Sequence, residues 1–291
     1  MDKIIWQYAL VILLVINIGS LSLSKLVSNK LPQKKSQGIF FQYLFCAIIA
    51  IVYFFLWEKG AMNPAIFLIG IIGFINCFGL YFQWKAFEIS LSKSVLFLPL
   101  MELIAMSLGV MFLGEVTFWN IQLLIGAGLC FLAITIFRLP KKEKMESLYS
   151  KKLILFILGM VLIFGTASFL MKSFSLTVSR GNFLMGWYVG AFFGTLLLLI
   201  LEKQNPFKIP LKTVLLIFPL SLLVSGTIFA LYWTYQLGGP ISLVSPIKGL
   251  FVTAIPIFVG WLIFKEIKGL SKKDLIGFVI GIIGAILVLT K

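Results

Sequence analysis

The chain of 291 residues contains no histidine. This removes the side chain that most often serves as general base, proton shuttle and metal ligand near neutral pH, and it weighs against embedded hydrolase or oxidase chemistry. Cysteine is nearly as scarce. Cys46, Cys77 and Cys130 each lie inside an apolar segment, and an odd number so placed argues against a disulfide framework or a metal cluster. No GxxxxGK[ST] phosphate loop occurs, so ATP-driven pumping by this chain alone is not expected. Charge is thin, at 12% of residues, and Asp plus Glu number only 10. No nucleophile with its base and no ligand set can be assembled from such residues, so we expect no metal, no cofactor and no enzymatic activity.

What is present is apolar. Hydrophobic side chains make up 60% of the chain and the mean hydropathy is +1.08, against about 45–50% apolar residues in ordinary soluble domains. Lipid must solvate most of such a surface. Apolar runs of the length that crosses a hydrocarbon core of about 30 Å occur at 4–24, 39–57, 65–87, 92–113, 118–137, 153–176, 182–201, 211–237, 243–264 and 274–290. The first is too long in its apolar part for a signal peptide and reads as a retained helix. Trp6, Trp57, Trp119 and Trp261 fall near run ends, where interfacial anchors belong. The expected fold is therefore an all-α polytopic membrane protein of about ten transmembrane helices.

A charged linker at 139–152 divides the chain into halves, 1–138 and 153–291, of five helices each. The halves resemble one another. Ser94 and Ser245, Glu115 and Glu266, and Gly126 and Gly277 share an offset of 151, while Trp84 and Trp233 differ by 149 and Lys25 and Lys172 by 147. Because five is odd, the second copy enters the membrane from the opposite side, giving an inverted-topology repeat. Of the 25 Lys and Arg residues, 19 fall on the linker side and five on the other, with Lys248 embedded. The positive-inside rule then makes the linker side cytoplasmic in a multi-pass cell-membrane protein. The formal charge of +15 reads as topology and attraction to anionic lipid headgroups, not as nucleic-acid binding.

Ten runs in two similar halves, a glutamate closing the fourth helix of each (Glu115 in FLGEVTFWN, Glu266 in IFKEIKGLSKKD), and following helices of the form GAGLCFLAI and GFVIGIIGAILVL resemble the EamA-type families of the drug/metabolite transporter superfamily. The resemblance covers nearly the whole chain. It implies an exporter or exchanger working by alternating access, on substrates that range in the superfamily over amino acids, drugs, nucleotide sugars and phosphorylated sugars. It also implies cytoplasmic termini, the reverse of the charge count, which we favour. We expect a monomer or homodimer acting on a small polar metabolite, such as an amino acid. The alternatives are a phosphorylated-metabolite or other organic-anion exchanger and, from another class, a passive channel or lipid scramblase.

Two embedded charges stand out as candidate site residues. Lys248 lies in the run 245–266 with Pro246 and Pro256, and Glu102 lies in the matching run 94–115 with Pro99. A charge at hydrocarbon depth costs several kcal/mol unless it meets a counter-charge, a wet cavity or the interface, so it marks a site by default. Counting about 1.5 Å per residue puts Glu102 roughly 16 Å and Lys248 roughly 8 Å from the same face, close enough to approach. A zwitterionic substrate could split such a pair; alternatively Lys248 attracts an anion while Glu102 carries a coupling proton, or the pair is purely structural. Trp84, Tyr232, Trp233, Asn17 and Asn76 complete the candidates, each with a packing or anchoring alternative. Glu115 and Glu266 are expected to cap helices or pair with lysines, Lys25 and Lys172 to snorkel, and Lys85, Glu88 and Lys93 to frame a solvated loop. Ser271 and Asp274 fit a capping box for the last helix.

Overall fold

The computed structural model describes residues 5–30, 35–95, 98–115, 121–138, 151–262 and 272–289. Among them are ten α-helices: α1 (Ile5–Lys30), α2 (Lys35–Trp57), α3 (Ala65–Val95), α4 (Leu98–Leu113), α5 (Ile121–Arg138), α6 (Lys151–Ser175), α7 (Arg180–Leu201), α8 (Leu211–Gln236), α9 (Ile241–Leu262) and α10 (Lys272–Leu289). Five segments are long and apolar enough to cross a bilayer: α2, Ala65–Ala86 of α3, α6, α7 and α8. Shorter apolar helical stretches occupy Trp6–Ser20, Leu100–Leu113 and Ile241–Phe251. Phe67, Met111, Ile121, Ile200 and Leu211 are largely exposed on the outer surface. An exterior of this kind suits lipid and not water.

The elements pack as α3 with α7, α2 with α8, α1 with α8, α3 with α6, α2 with α7, α4 with α9, α5 with α10, α4 with α6 and α1 with α9. Small residues let the helices close on one another, as packing in lipid requires, because tails are as apolar as leucine and no water is released. Gly186, Gly190 and Gly194 form a stripe on α7 that lies against the carbonyls of Ile66, Gly70 and Phe74 on α3. Gly284 of α10 lies in the same way against the Gly126 carbonyl of α5. The core around these contacts contains Tyr43, Cys46, Cys77, Tyr188, Tyr232, Tyr235, Val244 and Ile247.

The structure corrects one expected break. The segment carrying Lys85, Glu88 and Lys93 is helical, with α3 running on to Val95. No glycine or proline occurs between Trp84 and Leu98, so nothing in the local sequence stops the helix; Pro99 then falls in the first turn of α4, where a proline is tolerated. The corresponding junction in the second half reads Gly238-Gly239-Pro240 and stops α8 at once. Gly238, at φ +89°, supplies the left-handed residue that ends a helix, and Pro240 precedes the next.

Candidate functional site

Glu102 sits on α4 and Lys248 on α9, and their side chains meet: Lys248 Nζ lies 3.0 Å from Glu102 Oε1. The Glu102 side chain is 3% exposed and that of Lys248 14%. Neighbouring apolar residues, including Ala105, Val244 and Ile247, are fully buried. In this low-dielectric setting the attraction offsets part of a large desolvation cost, and loss of either partner leaves an uncompensated charge. Only one carboxylate oxygen is engaged. Glu102 Oε2 is buried without a hydrogen-bond partner among the described residues.

Three hydroxyls share that condition nearby. Tyr235, Ser242 and Ser245 are all buried, and none of their oxygens has a partner among the described residues. Tyr235 lies beside Ser245 and within electrostatic reach of Glu102 and Glu115. Ser242, Ser245 and Lys248 follow one another at intervals of three on α9, close to one helical face. Pro246 also lacks the N–H that would bond the Ser242 carbonyl within the helix. Burying unpaired polar groups is unfavourable; of the eight buried side-chain oxygens without a partner among the described residues, four belong to Glu102, Tyr235, Ser242 and Ser245, and the others to Gln7, Ser36, Gln37 and Ser225.

The turn above the pair is held by two further buried charges. Glu115 is 2% exposed and accepts hydrogen bonds from the backbone N–H groups of Ile241 (2.9 Å, Oε1) and Ser242 (2.8 Å, Oε2). It thus caps α9, where orphan N–H groups and the positive end of the helix dipole favour an anion. Gly114, at φ +64°, turns the chain out of α4 so that this carboxylate can reach across. Lys172 is 6% exposed and donates to the carbonyls of Tyr235 (3.3 Å) and Gly239 (3.0 Å), with the Tyr235 ring 5.6 Å away. It does not snorkel to the interface, as a lysine near a helix end was expected to do. The carbonyls at the end of α8, of which that of Tyr235 also accepts the Gly238 N–H at 3.1 Å, together with the negative end of its dipole, draw the ammonium inward.

The remaining candidates lie elsewhere. The Tyr232 hydroxyl donates to the carbonyls of Phe174 (3.0 Å) and Val178 (2.8 Å), and its ring stacks on Phe183 at 4.1 Å, so it fastens the α6–α7 turn. Trp233 lies beneath the Arg180 guanidinium, 5.5 Å from ring centre to Cζ, and Arg180 Nε donates to Gln236 Oε1 at 2.7 Å. Trp84 packs partly buried near the other end of the bundle, where Lys35 donates to its carbonyl at 3.3 Å. Asn76 donates to the Tyr43 hydroxyl on α2 at 3.5 Å, and Asn17 is buried on α1. Glu266, Trp119 and Ser271 lie outside the described residues, as do the side chains of Lys25, Glu88, Lys93, Trp261 and Asp274. Trp57, by contrast, is largely exposed and stacks on Tyr53 at 5.0 Å.

A second polar group closes the opposite end of the bundle. Tyr81 donates to Glu202 Oε1 at 2.7 Å and Lys85 Nζ lies 3.3 Å from the same oxygen. Burial acts to raise the Glu202 carboxyl, but nearby Ser36, the Tyr81 hydroxyl and the Lys85 charge outweigh it and hold the group below its ordinary value. Two surface clefts, one between α4 and α6 and one between α3 and α7, are lined almost wholly by apolar residues, and neither includes the Glu102–Lys248 pair.

No family model matches the chain, and no curated protein matches it. A solved structure described as "Crystal structure of protein" superposes on it with a TM-score of 0.67, covering 94% of this chain and 97% of its own, at 13% sequence identity. That is a likeness of fold. It extends over nearly the whole of both chains.

Proposed function

We propose that the chain is a secondary-active carrier of the cell membrane that moves a small polar metabolite by alternating access. In this reading all ten helices span the bilayer as two inverted five-helix repeats, 1–138 and 153–291, joined by a cytoplasmic linker at 139–152. The observation that carries it is the buried Glu102–Lys248 pair, formed between the fourth helix of one half and the fourth of the other, with unsatisfied hydroxyls alongside. Carriers of inverted-repeat design place their site between the halves near the midplane. An embedded ion pair with spare hydrogen-bonding capacity is a suitable receptor there, since a ligand can replace each contact it breaks.

The pattern of helix contacts supports the repeat. Advancing the helices by five places turns the α1–α8 contact into α6–α3, α2–α8 into α7–α3 and α1–α9 into α6–α4, all of which occur, while α2–α7, α4–α9 and α5–α10 map onto themselves; α5–α9 and α6–α8 depart from this pattern, without comparable α4–α10 and α1–α3 contacts among the described residues. The lysine and arginine bias fits the linker side as cytoplasmic. The resemblance to EamA-type drug/metabolite transporters agrees with the carrier reading, while implying the opposite orientation, and adds exporter or exchanger activity as its expected direction of use.

Reconstitution into liposomes tests it. The carrier reading predicts uptake of a labelled amino acid or phosphorylated metabolite that saturates with concentration and is accelerated by unlabelled substrate trapped inside. Linear, non-saturating flux with no counterflow would replace the carrier with a pore, and lipid movement between leaflets without solute flux would replace it with a scramblase.

A further inference from the structure

We infer that Tyr235, Ser242 and Ser245 form the hydrogen-bonding wall of the Glu102–Lys248 site, and that Lys172 and Glu115 position this wall. The inference rests on the carrier reading for its purpose but not for its geometry.

Tyr235, Ser242 and Ser245 are buried with oxygens that lack a hydrogen-bond partner among the described residues, and Tyr235 lies beside Ser245 and within electrostatic reach of Glu102. Nearly all buried polar groups in folded proteins find partners, so an unpaired cluster in one place calls for an explanation. A hydroxyl both donates and accepts, and three of them, with a carboxylate oxygen that also lacks a partner among the described residues, suit a ligand with several polar groups of mixed character. An apolar wall would serve a purely structural ion pair better, because it would add no orphaned hydroxyls to the unpaired Glu102 oxygen.

The two buried charges hold the very residues that carry the wall. Lys172 donates to the Tyr235 carbonyl and faces its ring. Glu115 accepts from the Ser242 N–H. Both therefore fix the backbone of a wall residue by a charge-assisted bond, the stronger kind. Among the described residues neither bonds to the Glu102–Lys248 pair, so both act as positioning residues. Sites placed on helices and held by such supporting contacts are the ones that keep their geometry.

Single cysteines test the wall without knowledge of the substrate. Cysteine is placed at Ser242, Ser245, Leu243 or Leu250 in turn, and each protein, in liposomes, is exposed to a small cationic methanethiosulfonate. The wild type, whose Cys46, Cys77 and Cys130 are buried, sets the background. Reactivity follows exposure of the thiolate to water. A wall that opens to the substrate path gives labelling at 242 and 245 about tenfold faster than at 243 and 250, buried positions that lie on the opposite side of the helix from Ser245 and Lys248. Equal rates at the four positions, or faster labelling at 243 and 250, would overturn the inference. Lys172→Met is expected to abolish the contrast and Lys172→Arg to keep it. A lysine serving stability alone would lower the yield of folded protein and leave the contrast intact in the fraction that folds. Failure of the carrier reading shows separately, as loss of saturation and counterflow while the labelling contrast persists.

Discussion

Replacing Lys248 with methionine keeps the length and apolar stem of the side chain while removing its charge, which makes it the sharpest perturbation of the buried pair. Glu102, with 3% of its side chain exposed and its partner oxygen 3.0 Å from the lost ammonium, is then left alone. Its other oxygen already lacks a partner among the described residues, so no existing bond can take up the charge. Breaking a buried pair from one side costs about 3–5 kcal/mol. For a chain of this size that corresponds to roughly a 6–20 °C fall in the midpoint of thermal unfolding. Removing both charges should behave differently. The Glu102→Met, Lys248→Met double variant has no orphaned ion, and apolar replacement of a buried pair is neutral or stabilising by about 1–4 kcal/mol. Thermal unfolding of the wild type, both single variants and the double variant in one detergent gives the coupling directly. A Lys248→Met protein as stable as the wild type would refute the reasoning, since it would mean that water reaches Glu102 in the resting structure.

Four further outcomes are expected. Glu115→Ala leaves two N–H groups at the start of α9 without their acceptor and should destabilise by about 1–2 kcal/mol, measured by thermal unfolding. Gly190→Leu sets side-chain atoms into the Gly70 carbonyl, forcing α3 and α7 apart; the loss should exceed about 3 kcal/mol or prevent folding, whereas Val189→Leu on the same helix should be mild. Tyr232→Phe strips the donor from the Phe174 and Val178 carbonyls and should lower stability by about 1–3 kcal/mol without a change in ligand response. For Glu202 the sign is fixed by its lowered carboxyl: its contribution is complete above the ordinary value of 4.5 and is lost as pH falls through the depressed value. Glu202→Gln should therefore remove part of the wild type's loss of stability in acid, read from unfolding midpoints across that range.

The helices were legible because their causes are local. Runs of apolar residues closed by lysines, glycines and prolines gave α7 and α8 to within two residues, and the lone charges at Glu102 and Lys248 stood out against an apolar background. Where α3 ends was less legible, since the polar stretch from Lys85 to Ser94 resembles a loop in composition yet contains no residue that breaks a helix. The sorting of aromatic residues on α8 could not be read at all. Tyr232 and Tyr235 are separated by three positions, and only the placement of the α6–α7 turn makes the first a fastener and leaves the second facing Ser245. Lys172 was misjudged for a related reason: nearness to a helix end suggests snorkelling, but the carbonyls that hold it belong to the end of α8, more than sixty residues away in sequence. A signal for the serines was present. Ser242 and Ser245 repeat at threes with Lys248, and polar residues at that spacing in an apolar run share a helical face.

The most direct test of the central claim is a ligand-stabilisation screen on purified protein, with zwitterionic amino acids, phosphorylated metabolites and organic cations presented to the wild type, Glu102→Gln and Lys248→Ala. A bound ligand must raise the unfolding midpoint. If the Glu102–Lys248 pair receives the substrate, one chemical class stabilises the wild type and the shift disappears in both variants. A shift of equal size in all three proteins would contradict the account and leave the pair as a fixture of the fold.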